Sequence, residues 1–112
     1  IKDIRRAREK VTQISDSINN KEYRLLEERL RNFVQIMVSI RESQIGEKIS
    51  GIREYNSLKT GLQQDLIALS NKTNNYEGFN FEELNRRLVE VADFLSELER
   101  TVQKNPPQKN GR

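Results

Sequence analysis

No proline occurs before Pro106-Pro107 in this 112-residue chain, and along that stretch apolar residues return every three or four positions. Those intervals bracket one helical turn, so the apolar side chains of each stretch line up as a stripe on one face of a helix. A proline inside a helix removes a backbone hydrogen bond and costs about 3 kcal/mol. With none in the way, an all-α fold is the expectation.

Four stripes can be followed. Ile1, Ile4, Ala7, Val11, Ile14 and Ile18 predict a helix over 2–18. Asn19-Asn20-Lys21-Glu22 then interrupts the pattern with short amides that favour turns and caps. The stripe resumes with Tyr23, Leu26, Leu30, Phe33, Val34, Met37 and Ile40, predicting a helix over 21–43 that is about 35 Å long at 1.5 Å per residue. Gly46 follows as a stop, which places a turn near 44–47. A continuous helix through Gly46 and Gly51 is the alternative, at a cost of about 1 kcal/mol per glycine.

Ile45, Ile49, Ile52, Leu58, Leu62, Leu66 and Leu69 predict a third helix over 48–71, with Tyr55 on or beside the seam. The asparagine-rich run 71–78, closed by Gly78, reads as a loop. Asn80 with Glu83 three residues on resembles a capping box, and Phe79 is available as the staple residue before it. The fourth helix is then expected over 81–104, on Phe81, Leu84, Leu88, Val91, Leu95, Leu98 and Val102 with Phe94 alongside. Residues 105–112 read as an extended basic tail.

A helix with one apolar stripe cannot bury it alone, whereas four such helices can converge on one core. Short connections make successive helices antiparallel, so residues 1–104 are expected to form a single up-and-down four-helix bundle. Only 34% of the residues are hydrophobic and 33% are charged, which fits thin helices around a narrow core. No apolar run approaches the roughly 20 residues that span a bilayer, so a soluble or peripheral chain is expected.

The residue inventory limits the chemistry. Without cysteine there is no disulfide, thiolate metal site or thiol nucleophile. Without histidine the commonest general base and metal ligand is missing. The paired acids Glu27-Glu28, Glu82-Glu83 and Glu97/Glu99 fall outside the apolar stripes and read as solvated faces, not as ligands. Gly46-Glu47-Lys48-Ile49-Ser50-Gly51 lacks the glycine spacing of a phosphate-binding loop. Neither Arg86-Arg87 nor the run from Arg5 to Arg8 is interleaved with aromatics as a nucleic-acid surface would be. A non-catalytic chain with no cofactor, metal, small-molecule substrate or nucleic acid is expected.

The formal net charge is +3, unevenly spread. Lys2, Arg5, Arg6, Arg8 and Lys10 oppose only Asp3 and Glu9 at one end, and Arg100, Lys104, Lys109 and Arg112 face no acid at the other, so the body between them is net acidic. Solvated helix faces account for such a pattern. So does docking of the ends on an acidic partner, for which Arg5, Arg6, Arg8, Lys104 and Lys109 are the candidate contacts.

The order of helix, short break, aromatic, long helix, turn, leucine-rich helix, loop and closing helix resembles the PsbQ family, the extrinsic lumenal subunits of photosystem II. The similarity runs from about Lys10 to Val102. It is densest over Ile14–Phe33, where the Asn-Asn-Lys-Glu break precedes Tyr23, in the place of the family's usual tryptophan, and then Leu30-Arg31. Leu58–Asn75 and Glu83–Leu98 are similar to the family's third and fourth helices. With no proline-rich N-terminal arm and a short connection near Gly46, the chain is most similar to an algal-type or shortened member.

The resemblance implies a four-helix subunit bound at the lumenal face of photosystem II, in the plastid thylakoid lumen. There it would help retain calcium and chloride at the oxygen-evolving centre, with core and other extrinsic subunits as partners. It also implies a cleaved transit peptide, with which an initial Ile in place of Met agrees. A helical interaction module of a cytosolic or membrane-trafficking complex is the alternative reading.

Overall fold

The computed structural model describes residues 2–49, 51–72 and 75–104. Four α-helices carry the chain: α1 (Lys2–Asn19), α2 (Tyr23–Glu42), α3 (Ile52–Ser70) and α4 (Phe81–Lys104). A five-residue 3-10 helix, Gln44–Lys48, joins α2 to α3. No strand occurs among the described residues, and none of the helices is long and apolar enough to cross a membrane. The fold is all-α, as the stripes require.

The helix ends show why each stripe stops where it does. At the end of α1 the Glu22 N–H donates to Ser17 O (2.9 Å) and the Lys21 N–H to Ile18 O (3.1 Å), with Lys21 at φ 59°. That is a Schellman stop, in which the left-handed position is taken by a lysine instead of the usual glycine. Because Lys21 and Glu22 both lie outside helical geometry, α2 begins at Tyr23, two residues after the expected start. Ser43 then ends α2: its N–H and its hydroxyl both donate to Ile40 O, and its Oγ accepts from the Ile45 N–H at 3.2 Å.

α2 and α3 are therefore separate helices, and the continuous alternative fails. Gly46 packs so closely on the end of α2 that a Cβ there would lie 2.1 Å from Arg41 O. Gly51, at φ 76°, then turns the chain into α3. The expected start of that helix at residue 48 moves to Ile52, because 44–48 is wound as a 3-10 turn with Ile49 N–H bonded back to Gly46 O. α4 begins at Phe81, as expected from its cap. The Asn80 Oδ1 accepts from the Glu83 N–H at 3.0 Å, but the Glu83 carboxylate reaches forward to Arg86 and not back to the cap, so only half of a capping box forms. Phe79 packs its ring on Phe81, centroids 4.7 Å apart. The tail over 105–112 lies outside the described residues.

One apolar core runs through the four helices. α1 gives it Ile4, Ala7, Val11 and Ile14; α2 gives Leu26, Leu30, Phe33, Val34, Met37, Ile40 and also Ile36. α4 contributes its whole stripe from Leu84 to Val102, whereas α3 buries only Tyr55, Leu62 and Leu69 fully. Each buried leucine or isoleucine contributes about 1.5–3 kcal/mol relative to exposure. The Tyr55 hydroxyl solves its own burial by donating to Met37 O at 2.6 Å, and burial pushes this phenol well above its ordinary pKa.

The helices form a closed ring of neighbours: α1 packs on α2 and α4, and α3 on α2 and α4. Every adjacent pair runs in opposite senses. Arg29 of α2 reaches Ser17 and Gln13 near the end of α1. Ser70, at the end of α3, donates to Glu27 near the start of α2. Asp65, late in α3, takes Arg87, early in α4, and Glu99, late in α4, takes Arg5 and Arg8, early in α1. This is the adjacency and sense that an up-and-down bundle needs, and it brings the start of α1 to the end of α4.

Candidate docking surface

The basic start of α1 and the basic finish of α4 meet at one end of the bundle, because α1 starts where α4 finishes. Of the candidate residues, the four that are described differ in what their charges do. Arg5 Nε donates to Glu99 Oε2 at 3.0 Å, and Arg8 Nη1 donates to Glu99 Oε1. Glu99 is nearly buried, with its side chain 11% exposed, while the two arginine side chains remain about half exposed at 59% and 45%. Two cations on one carboxylate bolt α1 to α4, and the hydrogen bond from Arg5, seconded by Arg8, holds the Glu99 carboxyl below the usual carboxylate range against the opposing effect of its desolvation.

Glu99 corrects the expectation that the paired acids lie off the apolar stripes. It stands four residues after Leu95 and three before Val102, so the three-four spacing itself places it on the buried seam. Its polarity hid that signal. Ser17 repeats the case on α1: it stands three residues after Ile14, is fully buried, and bonds both Gln13 O and Arg29.

Arg6 is turned the other way, toward α2, and its only ion pair among the described residues is with Asp3 one turn before it, at 3.3 Å. It lines a groove of about 400 Å³ between α1 and α2 with Lys10, Asn32, Gln35 and Ser39, floored by Ile36. Lys104 closes α4, exposed, where a cation complements the partial negative charge of the helix end. Lys109 lies outside the described residues.

Two further surface features flank this end and its opposite. Between α3 and α4 a cleft of about 540 Å³ is lined by Glu54, Glu90, Asp93 and Glu97 beside Phe94 and Leu98, which puts acid on the side of the ring opposite the Arg6 groove. At the far end Tyr23 stacks on Phe81 (4.7 Å, 19° between planes) and leans on Tyr76 at 4.8 Å, tying the loop before α4 to the start of α2. Among the described residues no group of three or more acidic side chains is placed to hold a metal ion.

No family model, curated protein or solved structure matches the chain.

Proposed function

We propose that this chain is a non-catalytic, peripheral docking subunit of the kind its sequence resembles, an extrinsic PsbQ-like protein. It binds the lumenal side of photosystem II and stabilises the oxygen-evolving centre by helping to retain calcium and chloride. The observation that carries the reading is that the basic start of α1 and the basic finish of α4 reach the same end of the bundle, where Arg6 and Lys104 stand exposed. Exposed cations gathered on one side of that end suit an acidic partner surface, where complementary charge steers the encounter and fixes the orientation. Supporting it, Tyr23, in the place of the family's tryptophan, sits at the centre of the aromatic cluster that seals the opposite end.

The test is a pull-down of the tagged protein on salt-washed photosystem II membranes at low and at high ionic strength. Retention at low salt and release at high salt is the expected result, since exposed ion pairs are screened over about 10 Å at 0.1 M salt. Failure to bind intact membranes at either salt overturns the photosystem reading and leaves a helical interaction module of another complex.

A further inference from the structure

Among the described residues, several side chains left unspent by the polar cross-links of this bundle cluster along one groove. Arg5 and Arg8 are committed to Glu99, Arg29 to Ser17 and Gln13, and Arg87 to Asp65. Lys10, Asn32, Gln35 and Ser39 make no side-chain hydrogen bond or ion pair with any described residue, and they line the same α1–α2 groove as Arg6. No acid is among the described residues lining it, and Asp3 meets Arg6 at 3.3 Å from outside it. Its floor, Ile36, is 6% exposed, so the groove is a shallow trough over the core with hydrogen-bonding walls.

Its two walls differ. The α1 wall carries the cations Arg6 and Lys10, one turn apart and therefore about 6 Å along the helix, and the α2 wall carries uncharged amides and a hydroxyl over about 10 Å from Asn32 to Ser39. In an extended peptide the side chains of residues i and i+2 lie on one side, about 7 Å apart. Two carboxylates at that spacing meet both cations, and the amides of Asn32 and Gln35 and the Ser39 hydroxyl offer donors and acceptors to the peptide backbone between them.

We propose that the α1–α2 groove is the recognition site for a short, extended acidic segment of a partner protein, with two carboxylates one residue apart bound by Arg6 and Lys10. The proposal rests on the docking reading for the existence of a partner. It moves the recognition from Arg5 and Arg8, which hold the bundle together, to Arg6 and to Lys10, a residue not among the sequence-derived contacts.

A fluorescein-tagged heptapeptide of alternating glutamate and alanine, followed by anisotropy at low ionic strength, tests it. The full chain is expected to bind this peptide and not its glutamine-for-glutamate counterpart. Lys10→Glu is expected to weaken binding by about tenfold or more, equivalent to about 1.4 kcal/mol. The uncharged double change Gln35→Ala with Ser39→Ala is expected to weaken it about threefold, as lost backbone hydrogen bonds would. Lys59→Glu, on α3, alters the net charge as Lys10→Glu does and should stay within about twofold, with circular dichroism confirming that each variant is helical.

Absence of peptide binding by the parent chain, or equal losses from Lys10→Glu and Lys59→Glu, overturns the proposal. The same variants on photosystem II membranes separate the two readings. Membranes that bind the parent and Lys10→Glu alike leave the photosystem reading standing and remove the groove. Peptide binding that behaves as expected, without membrane binding, keeps the groove and removes the photosystem.

Discussion

The Glu99 carboxylate carries two arginines at a nearly buried position, and its protonation is linked to stability. Its pKa is depressed in the folded chain, so its contribution is fully present above the ordinary carboxylate pKa of about 4.3 and is lost as pH falls through the lower folded value. Glu99→Gln should therefore cost about 1–3 kcal/mol at pH 7. In urea melts of both proteins the gap should shrink below about pH 4, and an undiminished gap at pH 3 would deny the linkage. Tyr55 gives the opposite case, a neutral group kept neutral. Because burial raises its phenol, ultraviolet titration of Tyr55→Phe and of the parent should give the same tyrosinate absorbance until the fold is lost, while the variant melts earlier by about 1 kcal/mol for the missing bond to Met37 O.

Helix identity was legible because it depends on a periodicity that side-chain chemistry cannot hide, whereas helix ends depend on backbone geometry that leaves little trace. Asn80 announced α4 correctly, since a cap is a side-chain device. Lys21 did not announce itself, because nothing about a lysine signals a left-handed conformation. The same gap conceals the 3-10 turn at Gln44–Lys48: Gly46 marked a break, but its form follows from how closely the backbone folds back on the end of α2 at Arg41 O. A glycine inside a helix ordinarily weakens it, yet at Gly61 a Cβ would meet the Arg87 Nε at 3.0 Å, so its bareness makes room for the arginine that bridges to Asp65. The lysine stop yields a prediction. Lys21→Gly removes a strain of about 1–2 kcal/mol and adds unfolded-state freedom worth about 0.5–1 kcal/mol, so a net gain of up to about 1 kcal/mol should appear as a Tm raised by a few degrees. A lowered Tm would show that the lysine side chain stabilises the turn in some other way.

In the whole molecule, each of the four seams carries its own polar cross-link: Arg29 to Ser17, Ser70 to Glu27, Arg87 to Asp65, and the two arginines on Glu99. Apolar stripes alone tolerate sliding by a turn, and these off-centre bonds fix the register of neighbouring helices. The candidate docking end was legible as a charge pattern, but its division of labour was not. Arg5, Arg6 and Arg8 look alike in sequence, and only the rotation of α1 against its two neighbours sends two of them to α4 and one to α2. The seam between α1 and α4 differs from the others in how it can be made. Three seams join helices that follow one another, whereas Arg5 and Glu99 are 94 residues apart, so closing this one costs the most chain entropy and gains least from a local start. It should be the last to close and the first to open. Weakening it by Glu99→Gln is then expected to speed unfolding while leaving the refolding rate nearly unchanged, an asymmetry visible in the two limbs of a denaturant chevron.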